Sequence, residues 1–384
     1  KDEFWKSLLE GKSGISRITS FDTSEFATHN GGEIKDFIPE DFLGKDKAQK
    51  MGRTSALAVA AARLAQEDAK IDIRSFDNSK IGVVLGTTMG ENKILEKINY
   101  AWVKQGEENI DASLIPQYPS CVLSANVAEE FGACGPNYII PTACAAGNYA
   151  IGYAMDLIRM GKADIMFAGG VDAFSRIAFT GFNRLLAIAP EKVQPFDKNR
   201  RGMMVGEGAG IVILEPLEKA RERKAQIYAE ILGYGLSCDA HHMTAPYSEG
   251  IKEAIQKTLA ECNLTLDSID YISAHGTGTP ANDKEECLAI KKVFGSLTPK
   301  IPVSSIKSML GHTMGAASAI EAISCCLAVQ SGIVPPTINF ETPDAECDID
   351  CVPNVSRRLK VNVALNNASA FGGNNACLAL RKFS

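Results

Sequence analysis

Short, mostly apolar segments alternate with helical segments along this chain, and this alternation restricts the fold more than any other feature of the sequence. Residues 81–85 and 165–169, for example, are apolar at every position, so both faces of such strands must be covered. Strands of this kind separated by helices are typical of mostly parallel sheets in an α/β fold. The predicted strands are residues 80–86, 138–140, 164–170, 211–216, 269–273, 303–305 and 361–365. The predicted helices are residues 3–12, 55–69, 122–131, 147–160, 216–224, 250–262 and 315–331.

Two of the helical segments, residues 145–160 and 315–331, are rich in small residues and poor in charge. A helix that is apolar on all sides is buried, so we expect both to lie in the interior as a central pair. Their similar length and texture indicate two related halves. The chain has 384 residues, which is large for one core, and its charged stretch at residues 216–224 marks the seam. We therefore expect an N-terminal half over residues 1–227 and a C-terminal half over residues 228–384.

Composition excludes several classes of protein. A formal net charge of −6 argues against electrostatic nucleic-acid binding. Eleven cysteines, an odd number without a CxxC pair, indicate reduced thiols and a cytosolic setting rather than a disulfide framework. No apolar run approaches the roughly 20 residues of a membrane span, and no signal peptide is visible. We expect a cytoplasmic protein without a membrane or nucleic-acid partner.

The stretch from residue 141 to residue 147 carries the first candidate catalytic group, Cys144. An apolar strand precedes it and a small-residue helix follows it, so Cys144 is expected at the helix N-terminus. Unpaired backbone N–H groups and the helix dipole stabilise a thiolate there, and the sequence predicts a lowered thiol pKa and a reactive nucleophile. The alternative is a small buried cysteine with a structural role only.

Two of the five histidines, His275 and His312, lie in glycine-rich loops that follow predicted strands. Such loops are where α/β sheets place their sites, and the neighbouring glycines allow a ligand to approach the backbone closely. The glycine run at residues 206–210 precedes a strand, so it does not fit a dinucleotide site. Residues 275–279 lack the Lys-Ser/Thr ending of a phosphate-binding loop. A zinc site is not expected, because Cys144 and the two histidines are scattered singly without a close ligand pair.

Several motifs together resemble the β-ketoacyl-acyl-carrier-protein synthases, most of all the elongating synthases of fatty acid and type II polyketide assembly. The similarity extends from about Phe4 to Phe383. It implies a thiolase-like fold, with two similar βαβαβαββ-type halves in an αβαβα five-layer arrangement, and usually a dimer. The motifs that carry it are residues 142–144, 196–210, 239–246, 275–280, 307–312 and 371–373.

The resemblance implies a mechanism for the candidate residues. Cys144 accepts an acyl group from an acyl carrier protein, and His275 and His312 then promote decarboxylation of malonyl carrier protein and stabilise the enolate. The backbone N–H groups of Cys144 and Phe371 are implied to form the oxyanion hole. This assignment is physically consistent, because fixed donors in a dry site stabilise charge that develops on carbonyl oxygens. Both histidines should therefore act as N–H donors.

Four further polar residues gain roles from the resemblance. Lys307 is implied to orient the site near His312, and Glu321 to complete its polar network. Asp283 and Glu286 correspond to the acidic pair that follows the first histidine. The alternatives are a solvated loop lysine and a carboxylate on a helix surface. Apolar neighbours of Glu321 argue against the second, since a buried carboxylate needs a partner.

Contacts to the substrate are also implied by the resemblance. Thr277 and Thr279 correspond to residues that hold the phosphopantetheine arm, to which hydroxyls are well suited. Bonding within the local turn is the alternative. Met89 corresponds to a position that limits the acyl pocket, where a flexible Met is a soft gate. Phe371 is implied to line the same pocket.

The implied partner is the acyl carrier protein. Lys45, Lys47 and Lys50 correspond to the patch that docks it, and a basic patch would steer an acidic carrier. A solvated charge cluster is the alternative. No resident cofactor or metal is expected, because phosphopantetheine is delivered on the carrier. The assembly is expected to be a homodimer, or a heterodimer with a ketosynthase-like chain-length factor.

The chain departs from the family pattern in two places. The family begins with an additional strand, and this first strand is expected to be absent here. The closing loop has Ser369 and Ala370 where the family usually has Phe and Gly, and Ala370 should restrict the backbone. These changes favour a type II polyketide or polyene substrate over housekeeping fatty-acid synthesis.

Two alternatives within the same family are kept, and one outside it is rejected. The first alternative is a non-elongating partner subunit, although those subunits usually lack the cysteine. The second is a malonyl-carrier-protein decarboxylase in which Cys144 is silent. A thiolase is rejected, because the second catalytic cysteine of that family lies in a Cys-x-Gly motif and Cys377 precedes Leu378 and Ala379.

Overall fold

The computed structural model describes residues 1–383 of the chain. Its α-helices are α1 (Asp2–Leu9), α2 (Pro39–Leu43), α3 (Lys45–Ala48), α4 (Arg53–Ala69), α5 (Asn92–Gln105), α6 (Val122–Phe131), α7 (Ala146–Arg159), α8 (Arg176–Arg184), α9 (Leu217–Glu222), α10 (Ser248–Glu261), α11 (Pro280–Phe294), α12 (Lys307–Leu310) and α13 (Ala317–Ser331). Its β-strands are β1 (Ser16–Arg17), β2 (Asn30–Gly31), β3 (Ile81–Gly86), β4 (Asn137–Ile140), β5 (Ile165–Asp172), β6 (Gly208–Leu214), β7 (Glu230–Cys238), β8 (Tyr271–Ser273), β9 (Val303–Ser304), β10 (Ile333–Val334), β11 (Arg357–Arg358), β12 (Val363–Ser369) and β13 (Asn374–Arg381).

Two mixed sheets organise the fold. One has the order β4-β3-β5-β6 and the other the order β7-β13-β12-β8-β9. The pairs β4-β3, β3-β5, β12-β8 and β8-β9 are parallel, as the apolar segments predicted. The prediction of mostly parallel sheets is wrong for β6, β13 and β7, which pair antiparallel with their neighbours. Strands β12 and β13 are joined by a connection of a few residues, which is too short for a parallel crossover.

Helices α7 and α13 form the layer between the two sheets. Helix α7 packs on β3 and β5, and α13 packs on β6 and β12. A Cβ added at Gly147 would lie 2.5 Å from the backbone nitrogen of Ala319, so only glycine allows this approach of the helices. Helices α4 and α6 cover the outer face of the first sheet, and α10 and α11 pack beside the second. The expected central pair is confirmed, within an αβαβα succession of layers.

Helix α13 and the turn before it form a long apolar segment. Within residues 1–383, the segment Met314–Ser331 is long and apolar enough to cross a membrane, with a mean hydropathy of 1.3. However, 78% of that segment is buried between the layers of the fold. The length and apolar composition of this segment are therefore those of a buried core helix.

Close backbone contacts bring the two central helices to the carboxyl end of β3. A Cβ at Gly86 would lie 2.3 Å from the carbonyl carbon of Ala146, at the start of α7. A Cβ at Gly315, just before α13, would lie 2.5 Å from the Cα of Thr87. The turns that open α7 and α13 consequently meet at one place, and this is where the candidate site lies.

Candidate active site

Cys144 lies in a single 3-10 turn, Ala143–Ala145, that leads directly into α7. This confirms the predicted position at the N-terminus of a central helix. The preceding residue, Ala143, has φ of +50°, a left-handed conformation that is uncommon for a residue with a side chain. Cys144 is buried, with 7% of its surface exposed. The turn thus holds the thiol in one defined position at the base of the site.

The two predicted histidines converge on this thiol from the C-terminal half. His275 follows β8, and His312 follows α12. Their ring centroids are 5.4 Å apart and the rings are nearly perpendicular, at 81°. Cys144, His275 and His312 each offer one atom that could bind a metal ion, and these three atoms lie within 4.8 Å of one another. By distance alone these atoms could approach one metal ion, so the expectation of a site without metal remains a prediction.

The predicted lowering of the thiol pKa is wrong. Burial raises the pKa of the Cys144 thiol to about 12. The positive charge of Lys307 opposes this rise, and the negative charge of Asp172 adds to it. Loss of solvation disfavours a charged group in the interior, and here it outweighs the helix N-terminus. The thiol is therefore neutral in the resting site.

Both histidines are neutral and share one tautomer. Burial lowers the pKa of His275 and of His312 well below the usual value of 6.5, and Lys307 adds to both shifts. Nδ1 of His312 accepts a hydrogen bond from the backbone N–H of Met314 at 3.1 Å. Nδ1 of His275 lies 3.4 Å from Nζ of Lys307, which can only donate. Each ring consequently carries its proton on Nε2, the arrangement expected for two N–H donors.

Lys307 and Glu321 form a buried ion pair behind His275. Both side chains are 2% exposed, and Nζ of Lys307 donates to Oε1 of Glu321. Burial raises the pKa of Glu321 to about 7, although Lys307 opposes the rise. The structure thus contradicts a solvated loop lysine and a surface carboxylate. Nζ of Lys307 lies beside His275, and its charge also acts on His312, so the expected orienting role of Lys307 remains a prediction.

Two carboxylates hold the loop that carries His275. Glu286 accepts the backbone N–H groups of His275 at 2.7 Å and Gly276 at 2.8 Å. Asp283 accepts the backbone N–H groups of Phe196 at 2.9 Å and Gly278 at 3.2 Å. Both carboxylates lie on α11, fully buried, and burial raises the pKa of Glu286 to about 7. The acidic pair therefore fixes backbone rather than touching the cavity.

A cavity of about 260 Å³ opens onto the catalytic cluster. Thr277 and Thr279 line it, and their hydroxyl oxygens are 2.8 Å apart. Both hydroxyls also accept backbone N–H groups of their own turn, at 3.3 and 3.4 Å, so local bonding and exposure to the cavity coexist. The lining residues most relevant here are Cys144, His275, His312, Thr277, Thr279, Ser369, Ala370 and Phe371.

Phe371 lies at the mouth of this cavity, half-exposed, with its ring 5.7 Å from that of Phe182. The two residues after it, Gly372 and Gly373, have φ of +83° and +77°, which explains the need for glycine there. Ala370 has φ of −139°, an extended conformation open to any residue, so this conformation does not itself require glycine, and the expected restriction of the loop by Ala370 remains a prediction.

Four predicted residues lie away from the cavity. Met89 does not line it among the described residues, but packs in an apolar cluster with Met203, which does. Lys45, Lys47 and Lys50 are exposed on the surface around α3. Nζ of Lys47 lies 2.7 Å from a carboxylate oxygen of Glu130. A docking role for these lysines and a pocket role for Met89 remain predictions.

Asp172, a fully buried carboxylate at the end of β5, was not among the predicted site residues. Neither were Asp239 and Asn375, which line the cavity and are joined by a hydrogen bond of 2.7 Å. A charged residue that ends an otherwise apolar strand was the available signal for Asp172. Asp239 and Asn375 lie in or beside the motifs at residues 239–246 and 371–373, which were the available signal for them.

The chain is similar to known proteins in family, in sequence and in structure. The family model for the N-terminal domain of β-ketoacyl synthases matches residues 1–220, and that for the C-terminal domain matches residues 228–341. The 3-oxoacyl-[acyl-carrier-protein] synthase 2 of Synechocystis sp. is 43% identical over 390 residues, which cover 99% of this chain and 94% of that protein. Nodulation protein E of Rhizobium sp. is 41% identical over 379 residues, covering 98% and 94%.

Solved structures agree with these relatives. The ishigamide ketosynthase/chain length factor matches with a TM-score of 0.97 and 43% identity, covering 100% of this chain and 95% of that one. A type II polyketide synthase acyl-carrier protein in complex with its ketosynthase matches with a TM-score of 0.91 and 32% identity, with the same coverage. The predicted thiolase-like fold is confirmed.

Proposed function

This chain belongs to the β-ketoacyl synthase family, and we propose that it joins an acyl group held on Cys144 to a malonyl group held on an acyl carrier protein. The chain is an acyltransferase, and its reaction is a decarboxylative Claisen condensation that yields a β-ketoacyl carrier protein. The observation that carries this proposal is the convergence of Cys144, His275 and His312 within 4.8 Å inside a buried cavity.

In the first half-reaction, Cys144 Sγ attacks the thioester carbonyl of the acyl carrier protein. The new C–S bond forms on Cys144, the old one breaks, and the thiol proton of Cys144 passes to the departing carrier thiol. Because the resting thiol is neutral, this proton must leave as the bond forms rather than beforehand. The backbone N–H groups of Cys144 and Phe371 are the proposed donors to the developing oxyanion.

In the second half-reaction, the malonyl group loses carbon dioxide, and the electrons of the broken C–C bond form an enolate. The Nε2–H groups of His275 and His312 point to the same place and can donate to the enolate oxygen without first losing or gaining a proton. The carbanion then attacks the thioester on Cys144, the cysteine sulfur leaves as a thiolate, and a proton from solvent restores the neutral resting thiol. Neutral imidazoles suit this step, because charge develops only as the reaction proceeds.

Carrier recognition is proposed for two regions. Thr277 and Thr279 line the cavity and offer hydroxyls to the phosphopantetheine arm, which arrives on the carrier and makes a resident cofactor unnecessary. The exposed group of Lys45, Lys47 and Lys50 is the proposed docking patch for an acidic carrier. Carrier carboxylates would compete there with the existing ion pair of Lys47.

Assembly as a dimer is supported by the edge of the first sheet. Strand β4 is an edge strand in which Tyr138 is 45% exposed, and an open edge of this kind favours pairing with another chain. We propose either a second copy or a ketosynthase-like chain-length factor as the partner. Within each subunit we propose the division into residues 1–227 and 228–384, on the basis of the two separate sheets.

The substrate and setting are proposed from the cavity and the cysteines. Ser369 and Ala370 both line the cavity, and small residues there leave more room than the usual aromatic would. This supports a type II polyketide or polyene substrate over a fatty acid, with Met89 as a soft limit to the pocket. The eleven free cysteines support a reducing compartment, the cytoplasm.

One observation favours a second candidate function. The raised pKa of Cys144 is compatible with a silent thiol, in which case the chain would decarboxylate malonyl carrier protein without condensation. The two histidines alone would suffice for that reaction.

Intact-protein mass spectrometry tests the proposed function. The wild-type chain and a Cys144→Ala control are incubated with carrier proteins that bear acyl groups of graded length. We expect a mass increase of one acyl group in the wild type and none in the control. Carbon dioxide release without labelling of Cys144, in the presence of an acyl primer, would instead indicate the decarboxylase.

A further inference from the structure

Asp172 is a buried carboxylate that touches neither the cavity nor the catalytic side chains. It ends β5 with no exposed surface. Its Oδ1 accepts the hydroxyl of Thr87 at 2.7 Å and the backbone N–H of Met89 at 2.9 Å. Its Oδ2 accepts the backbone N–H groups of Thr88 at 2.7 Å and Gly315 at 2.6 Å. One side chain thereby joins the loop after β3 to the turn before α13.

The bonding pattern requires the ionised form of Asp172. A carboxylate offers about four lone-pair positions, and all four are used by donors. Protonation would occupy one of them and displace a donor. Within residues 1–383 no lysine, arginine or histidine forms an ion pair with Asp172, so only these hydrogen bonds offset the burial that raises its pKa. A charge kept in the interior without a counter-ion is costly and calls for a functional reason.

Two consecutive amides connect Asp172 to the catalytic histidine. The N–H of Met314 donates to Nδ1 of His312, and the next N–H, that of Gly315, donates to Asp172. Met314 has φ of +53°, which a residue with a side chain adopts only where its surroundings enforce it. The hydrogen bond from the Gly315 N–H to Asp172 helps to enforce this conformation, because it sets the orientation of the peptide group that follows Met314.

We propose that Asp172 is a positioning residue for condensation, which fixes the Met314–Gly315 turn and so holds His312 with its Nε2–H directed into the site. This inference rests on the proposed function and deepens it. Asp172 also fixes Thr88 and Met89, so the same carboxylate aligns the loop beside the proposed acyl pocket with the histidine that serves the reaction.

The substitution Asp172→Asn tests this role with little change in shape. The asparagine side chain would present its NH2 group to backbone N–H groups, which are also donors. The loop after β3 or the turn before α13 would therefore lose its hydrogen-bond acceptor. We expect kcat for condensation to fall about 10- to 100-fold with little change in KM for malonyl carrier protein, because the phosphopantetheine contacts are untouched. Steady-state kinetics with both carriers gives the two constants separately.

A second measurement separates positioning from general loss of structure. The negative charge of Asp172 contributes to the raised pKa of Cys144, so its removal should move the pH midpoint of Cys144 alkylation by iodoacetamide to lower pH. The conservative variant Asp172→Glu keeps the charge and should return the midpoint to the wild-type value. If Asp172→Asn does not fold, Asp172→Glu carries the test alone, with lowered kcat expected at an unchanged midpoint.

Asp270→Asn is the matched control. Asp270 also accepts two backbone N–H groups, those of Asn362 at 2.7 Å and Val363 at 3.0 Å, but it lies just before β8 begins, whereas His275 follows the end of that strand. We expect it to lower thermal stability and to leave kcat and the alkylation midpoint unchanged.

Three results would overturn the inference. The first is a wild-type kcat in Asp172→Asn or, if that variant is unfolded, in Asp172→Glu. The second is a pH midpoint of Cys144 alkylation in Asp172→Asn that does not move. The third is an equal loss of kcat in the Asp270→Asn control. Each leaves acyl labelling of Cys144 intact in the wild type. Failure of that labelling would instead contradict the proposed function itself.

Discussion

Burial rather than local sequence sets the protonation of the catalytic groups. Cys144 lies in a sequence pattern that ordinarily lowers a thiol pKa, yet its burial raises the pKa to about 12. The same burial lowers the pKa of His275 and His312, so the resting site contains three neutral groups beside one buried ion pair. Such a site exposes no free charge to water and develops charge only when substrate arrives.

Nitrogen-15 NMR of histidine-labelled protein reports the ring states directly. We expect the signals of His275 and His312 to show neutral rings protonated on Nε2 from pH 8 down to about pH 6, because both pKa values lie well below 6.5. Signals are assigned from single His→Asn variants. A signal for either ring that titrates near pH 6.5, or that shows Nδ1 protonation, would contradict the assignment.

Lys307→Met should cost stability in a pH-dependent manner. Without the ammonium, Glu321 is buried unpaired, and its folded-state pKa rises above the value of about 7 that it has beside Lys307. A carboxyl whose pKa is higher folded than unfolded loses stability as pH rises between the two values. We expect a loss of about 3 to 5 kcal/mol at pH 8 and a smaller loss at pH 5, measured by urea unfolding.

The double variant Lys307→Met/Glu321→Leu is the control for this experiment. It removes both charges, so its stability should show little of this pH dependence and should exceed that of Lys307→Met at pH 8. Equal losses of Lys307→Met at the two pH values would show that Glu321 does not titrate as described.

At the level of elements, the contact between α7 and α13 determines how the two halves fit. The helices approach where Gly147 faces Ala319, and a side chain there meets backbone rather than a flexible group. The turns that carry Cys144 and precede α13 depend on this approach. Packing of small residues therefore sets the distance between the nucleophile of one half and the histidines of the other.

Gly147→Ala should destabilise the protein by about 1 to 3 kcal/mol, because its Cβ would lie 2.5 Å from the Ala319 nitrogen. Gly181→Ala is the matched control, since Gly181 lies in helix α8 with nothing within 4 Å of an added Cβ. The control should be neutral or slightly stabilising, by up to about 1 kcal/mol. Thermal unfolding compares the two. Equal effects of both substitutions would refute the close helix contact.

Across the whole molecule, the central layer is shared by both sheets. One apolar cluster contains Val84 and Met166 from the first sheet together with Tyr271 and Leu378 from the second. Neither half can bury its inner face without the other, because α7 lies against the first sheet and touches α13. The two proposed halves therefore share one stabilising core.

Hydrogen-exchange mass spectrometry tests this shared core. We expect the amides of β3 and β5 to exchange in the same cooperative opening as those of β8 and β12. The exposed helix α5 should exchange faster and provides the internal reference. Exchange of one whole sheet well before the other would indicate two independent domains.

Much of the fold and the candidate catalytic residues could be predicted from the sequence alone. The central strands and both central helices were predictable because their apolar patterns are unbroken, and Cys144, His275 and His312 because each lies in an unusual local setting. Strand β7 was missed because glycine and serine interrupt its apolar residues. Strand β13 was missed although residues 376–380 form a continuous apolar run.

The folded structure was needed to establish the strand directions at the sheet edges, the neutral thiol and the contacts of Asp172. Each of these depends on groups far apart in the chain that become neighbours on folding. Asp172 meets Gly315 across 143 positions, and the loss of water around Cys144 results from both halves closing over it. Desolvation and long-range hydrogen bonding have no local signature, so the sequence could mark Asp172 as an unusual residue but could not reveal its partners or the neutral thiol.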